Sequence, residues 1–244
     1  MILELDCGNS FIKWRLLCKD SVARAGTVSG VQDVLAELAG AGIVDITHCR
    51  LVSVRSDMET QEIVDRLSQT LQIGVARAQS SRYLAGVTNA YKEYGRLGLD
   101  RWLAIVGAFS LCGGACMVID VGTAVTVDLV AADGRHLGGY IAPGMALLRG
   151  QLLSHTRRIQ YDPEEARLAL SDTRPGSSTA EAVERGCLLM LRSYISSQQI
   201  QAHHLLDGPF RTYLTGGDAL LVEDLSSVST VPDLVFRGLA LACP

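Results

Sequence analysis

Proline is scarce in this chain, six in 244 residues, which leaves little for rigid linkers. Excess charge of either sign is also small. Twenty-two Lys and Arg against 26 Asp and Glu give a formal net charge of −4, so there is no general electrostatic reason to bind nucleic acid or an anionic membrane. A basic leader is missing. MILELDCGNS is interrupted by Glu4 and Asp6 and reads as an immediate strand, not as a secretory signal. The seven cysteines form no CxxC pair, since Cys112 and Cys116 are four apart, and the five histidines do not pair with them at zinc spacing. Free, mostly buried thiols in a reducing cytoplasm are expected. GxxxxGK[ST], GxGxxG after a strand, GxSxG and HExxH are all absent, which removes the P-loop and the commonest dinucleotide, hydrolase and zinc-peptidase signatures.

What is present is a chain of 48% hydrophobic residues and 24 glycines. That suits one large domain or two small ones with a real core, and excludes a disordered chain, a collagen-like repeat or a disulfide scaffold. One uncharged run, Trp102–Ile119, is long enough for a membrane span by length alone. Gly113-Gly114 splits it into a helix-like and a strand-like half, so it reads as buried core.

Periodicity predicts strands over 1–6, 11–17, 21–28, 49–54 and 73–77, with helices over 31–40 and 58–72. Ser80–Leu97 has no clean period and reads as a long functional loop. A helix is expected over 100–112, then three strands broken at Gly122 and at Asp133-Gly134. Helices are expected over 144–154, 178–200 and 233–242, and a strand over 211–215. The chain divides on this reading into 1–112 and 113–244.

An internal echo links the halves. Asp6-Cys7-Gly8-Asn9-Ser10 closes one apolar strand, and Asp120-Val121-Gly122-Thr123-Ala124 closes another. Glycine in a tight turn lets backbone amides approach phosphate oxygens, and Asn9, Ser10, Thr123 and Lys13 add donors. Asp6 and Asp120 either stabilise their turns or hold a cation that meets the phosphates. Asp100, beside Arg101 at a helix start, is either a cap or a base that takes a proton from a hydroxyl while Arg101 binds an anion.

Five segments in order, DCGNSFIK (6–13), GLDR (98–101), DVGTAVTVD (120–128), GGYIAPG (138–144) and TGGD (215–218), resemble the motif series of type III pantothenate kinases. These are members of the acetate and sugar kinase, heat-shock cognate and actin superfamily. The resemblance implies an α/β fold of two ribonuclease-H-like lobes with ATP in a cleft between them. It implies phosphorylation of pantothenate by ATP with Mg²⁺, the first step of coenzyme A synthesis. Asp6, Cys7, Gly8, Asn9, Ser10, Phe11, Ile12 and Lys13 would form the first ATP motif, Asp6 also serving a phosphate-bound Mg²⁺. Thr123 would be a second ATP contact. Asp100 would be the catalytic base, with Tyr91, Gly98, Leu99, Arg101 and Thr179 lining the pantothenate site. Thr179 follows Ser178, where the family often has Asn. Asp120 would hold a monovalent cation, K⁺ or NH₄⁺. The resemblance also implies a homodimer, and the net charge of −4 leads us to expect neither nucleic acid nor membrane as partner.

Overall fold

The computed structural model describes every residue except Asp20, Val44, Thr173 and Ser226. The chain folds as two compact units, Met1–Leu111 with Asp233–Pro244, and Cys112–Pro232.

The first unit opens with β1 (Ile2–Cys7), β2 (Ile12–Cys18) and β3 (Ser21–Val28), followed by α1 (Val31–Gly40), β4 (His48–Ser53), α2 (Asp57–Leu71) and β5 (Val75–Arg77). Its sheet runs β3-β2-β1-β4-β5. β1 is antiparallel to β2 and parallel to β4. The alternation in β1 buries Leu3 and Leu5, which pack with Ile12, Trp14, Leu51 and the inner faces of α1 (Val34, Leu38) and α2 (Ile63, Leu67). α2 starts with a capping box, in which Ser56 accepts the Glu59 N–H and Glu59 accepts the Ser56 N–H.

The Ser80–Leu97 segment has more structure than its sequence suggests. β6 (Tyr83–Leu84) and β7 (Val87–Thr88) form a hairpin, and a 3-10 turn covers Tyr94–Arg96. Ala85 (φ 47°) and Gly86 (φ 90°) make its two-residue turn, in which both residues take positive φ. Strands of two residues are too short to leave a period.

The uncharged run resolves into α3 (Leu99–Cys112) and β8 (Cys116–Val121). α3 is buried on every side from Trp102 to Ala108, which is why that stretch lacks charge and an amphipathic stripe. No helix among the described residues is long and apolar enough to cross a membrane.

The second unit continues with β9 (Ala124–Val130), β10 (His136–Pro143), α4 (Met145–His155), α5 (Pro163–Ala169), α6 (Thr179–Leu205), β11 (Arg211–Thr215) and β12 (Val228–Thr230), and the chain ends with α7 (Leu234–Ala242). The second sheet runs β10-β9-β8-β11-β12. Its first strand is again antiparallel to the second and parallel to the fourth, so the echo of two turns extends to two whole sheets of one topology. Met117, Ile119, Val125, Val127, Leu191, Ile195 and Leu214 centre its core. Neither α5 nor β12 is expected from the sequence pattern. α5 is seven residues long, too short for a period, although Asp162-Pro163-Glu164-Glu165 carries a proline start and a reciprocal Asp162–Glu165 cap. All seven cysteines are free thiols.

The division at 112 needs one correction, because α7 joins the first unit. Glu4, fully buried in β1, accepts Arg15 Nε at 2.6 Å and Arg50 Nη1 at 2.9 Å. Arg15 also pairs with Asp233 at 3.0 Å and lies 4.7 Å from the Phe236 ring centre, which anchors the start of α7. A Cβ at Gly107 would collide with the Leu234 carbonyl, so α3 and α7 meet backbone to backbone. Replacing Glu4 by Ala leaves two arginines facing a buried site without their carboxylate. The expected cost is about 3–5 kcal/mol, read from the urea midpoint; a loss under about 1 kcal/mol contradicts the account.

Candidate active site

Each sheet offers a turn at the carboxyl end of its first strand. In the first unit Asp6 sits opposite Lys13 across β1 and β2, and Cys7 opposite Ile12. Gly8–Phe11 form the link. The Cys7 and Ile12 side chains are fully buried in the core, and burial pushes the Cys7 thiol up to about 12, so it stays neutral. These two residues can offer a ligand only their backbone. Asn9, Ser10 and Phe11 are exposed, and Asp6 and Lys13 are half-buried. Arg55, just past β4, donates Nε–H to the Gly8 carbonyl at 2.8 Å.

Tyr91, Gly98, Leu99, Asp100 and Arg101 come together at the start of α3. The first helical bond runs from Trp102 N–H to the Gly98 carbonyl at 2.9 Å. Asp100 Oδ1 accepts the Arg101 N–H at 2.7 Å, which fixes the carboxylate's direction. A Cβ at position 98 would lie 2.8 Å from that oxygen, so glycine leaves the carboxylate its space. Arg101, only 7% exposed, donates Nη1–H to the Tyr91 hydroxyl at 3.3 Å. A half-buried carboxylate, a guanidinium and a phenol are thus held in one place. Such a set can take a proton from an alcohol and hold an anion.

Two residues outside the expected set organise this loop. Arg82 donates to the carbonyls of Asn89, Tyr91 and Lys92 at 3.2, 2.9 and 2.7 Å. Asn89, 2% exposed, accepts the Tyr91 N–H at 2.9 Å. Neither stands in a motif, and a lone Arg in an aperiodic loop gives no sequence signal of whom it will bind.

In the second unit Asp120 pairs across to Thr126 in β9 and Thr215 in β11. Thr123 is exposed at the turn. Gly216 (φ 103°) follows β11 and lies against the turn. A Cβ there would sit 2.5 Å from Asp120 Oδ1 and collide with the Val121 carbonyl. Gly144, at the start of α4, donates its N–H to the Thr123 carbonyl at 3.0 Å, and a Cβ there would strike the Gly122 carbonyl. The glycines of TGGD and GGYIAPG therefore let two chain segments close on one turn.

Thr179, in the second unit, is exposed as the first residue of α6. Ser178 caps that helix, accepting the Glu181 N–H at 3.2 Å. Asn and Ser are near-equivalent caps, so Ser178 can serve here as Asn would. One turn further along α6, buried Glu184 is gripped by both Arg149 Nε and Arg149 Nη2, the latter at 2.6 Å, and by the Tyr161 hydroxyl at 2.8 Å. Desolvation and the Glu184 carboxylate push Tyr161 up to about 12, so it remains a donor.

Residues 2–201 match the model of a family described as type III pantothenate kinase. The chain belongs to that family. The type III pantothenate kinase of Ectopseudomonas mendocina (strain ymp) is 56% identical over 247 residues, covering 100% of this chain and 99% of that one. Among solved structures, a Baf-family protein from Campylobacter jejuni superposes with TM-score 0.60 at 21% identity, over 98% of this chain and 95% of that one. The activator of 2-hydroxyisocaproyl-CoA dehydratase from Clostridium difficile, with bound ADPNP, gives 0.55 at 16%, over 99% and 92%. The fold is that of the actin-like ATPases and sugar kinases, and the chain is a kinase.

The donor sets fit what a kinase of this family brings. No three His, Cys, Asp or Glu residues gather into a metal cage among the described residues. A single carboxylate at Asp6, beside turn amides and Lys13, suits Mg²⁺ carried largely by phosphates and water. Asp120, with bare backbone at Gly216 and the Val121 carbonyl beside it, offers oxygen donors of the hard type.

Gly216→Ala tests this packing. The methyl must displace Asp120 or the Val121 carbonyl, and the positive φ adds about 1–2 kcal/mol. We expect the KM for ATP to rise several-fold while the KM for pantothenate stays unchanged; an unchanged KM for ATP in steady-state assays would count against it.

Proposed function

We propose that Asp100 is the general base in the ATP-dependent phosphorylation of pantothenate, the first step of coenzyme A synthesis. The observation that carries this reading is the Asp100–Arg101–Tyr91 group, held on the rigid start of a buried helix. Asp100 accepts the proton of the pantothenate primary hydroxyl. The oxygen forms a bond to the γ-phosphorus, the bond from that phosphorus to the β,γ-bridging oxygen breaks, and ADP leaves with the electron pair. The product is 4′-phosphopantothenate. Phosphoryl transfer asks the protein mainly for positioning and charge stabilisation, so one base and fixed donors suffice.

Arg101 holds the pantothenate carboxylate, and the Tyr91 hydroxyl and Thr179 hydrogen-bond the substrate. The backbone of Gly98 and Leu99 lines the same place. The Asp6–Lys13 turn receives ATP phosphates through its amides and Lys13, and Thr123 gives a second contact. The divalent cation that accompanies ATP neutralises phosphate oxygens; Asp6 would help to hold it. Asp120, with neighbouring carbonyls, would hold a monovalent cation, K⁺ or NH₄⁺. The reading also has the enzyme working as a cytoplasmic homodimer.

Asp100→Asn keeps the shape and removes the base. The kcat should fall by about 10²–10⁴-fold, with the KM for ATP within about twofold of wild type. A coupled ADP-release assay with ATP, pantothenate and K⁺ measures both. Near-wild-type turnover in that variant would remove Asp100 from the role.

A further inference from the structure

Arg55 belongs to no motif, and its place in the fold gives it a task. The carboxyl end of β4 lies beside the first turn, with Ser53 in register with Cys7. Val54 N–H donates to the Cys7 carbonyl at 3.1 Å, one residue past the strand. Arg55 N–H donates to Ser53 Oγ at 3.2 Å, and buried Ser53 Oγ shares a 2.8 Å bond with Thr60 Oγ1 of α2. Its backbone is thus tied to a buried hydroxyl pair. From there Nε–H reaches the Gly8 carbonyl at 2.8 Å.

The Gly8 carbonyl needs such a partner. In a turn meant for an anion, every carbonyl that swings toward the ligand repels it, while every amide attracts it. Asn9, Ser10 and Phe11 are exposed, so little core packing holds the turn in one conformation. A hydrogen bond from a cation to a carbonyl is stronger than a neutral one, and it draws off that oxygen's negative charge.

The second sheet shows the contrast. There Asp218 N–H donates to the Val121 carbonyl at 2.9 Å, as Val54 does to Cys7. The residue past β11 at this lock is an acid, with glycines before it; past β4 it is followed by an arginine. Of these two locks, the first is followed directly by a cation, Arg55, and the second by Ala219.

We propose that Arg55 is a positioning residue for ATP, fixing the Gly8 carbonyl so that the amides of the Asp6–Lys13 turn and Lys13 meet the phosphates. This rests on the reading that the first turn receives the ATP phosphates. The role is specific to phosphates, so it separates from general support of the fold.

The test compares wild type, Arg55→Lys and Arg55→Ala. Steady-state kinetics gives KM for each substrate, and titration calorimetry gives the affinities for ATP and AMP. Both variants should raise the KM for ATP by about tenfold, since lysine lacks the Nε–H geometry of the brace. The KM for pantothenate and the affinity for AMP, which lacks the β- and γ-phosphates, should stay within about twofold of wild type. A wild-type KM for ATP in Arg55→Lys overturns the proposal. So does an equal loss for both substrates, or failure of both variants to fold, since either means structural support only. Wild-type protein unable to phosphorylate pantothenate would instead take down the function on which the proposal rests.

Discussion

The first strand of each sheet has an antiparallel neighbour on one side and a parallel neighbour on the other, and most of the site follows from that constraint. The antiparallel partner forces a tight turn at the strand's carboxyl end. The parallel partner delivers a second chain end to the same point. Amides, carbonyls and a strand-terminal carboxylate therefore converge there without any dedicated loop. β1 and β8 obey this rule, and Asp6 and Asp120 mark the convergence in each. Ligands of open α/β sheets gather at the carboxyl ends of strands for the same reason.

Arginine organises the first unit at three depths. Arg15 and Arg50 neutralise Glu4 inside the sheet, and Arg15 also carries the start of α7. Arg82 gathers three carbonyls of the loop that contains Tyr91. Arg55 takes the Gly8 carbonyl of the turn after β1. A fork of fixed N–H groups can satisfy several carbonyls or both carboxylate oxygens at once, which a lysine cannot. In the second unit Arg149 does the same for Glu184.

Local order was legible where one period or one turn decides it. The turns that follow Asp6 and Asp120 and the split at Gly113-Gly114 are written in a few neighbouring residues. The repeat of Asp-x-Gly was readable as an echo, but its extension to two sheets of one strand order depends on pairings far apart in sequence. The place of α7 was not legible, because the Arg15–Asp233 bond spans most of the chain. β12 and the β6–β7 hairpin are shorter than any period. At the site, Asp100 and Arg101 announce themselves as neighbours, whereas Arg82, Asn89 and Arg55 act through backbone carbonyls that any sequence would offer.

The proposed function has Asp6 help to hold the divalent cation of ATP and Asp120 hold a monovalent cation, each at the turn after the first strand of its own sheet. The direct measurement is the ATP affinity of Asp6→Asn and Asp120→Asn by titration calorimetry in K⁺ and Mg²⁺, with pantothenate affinity measured on the same samples. Both variants should bind ATP about tenfold or more weakly while pantothenate binding holds. Wild-type ATP affinity in either variant contradicts the account.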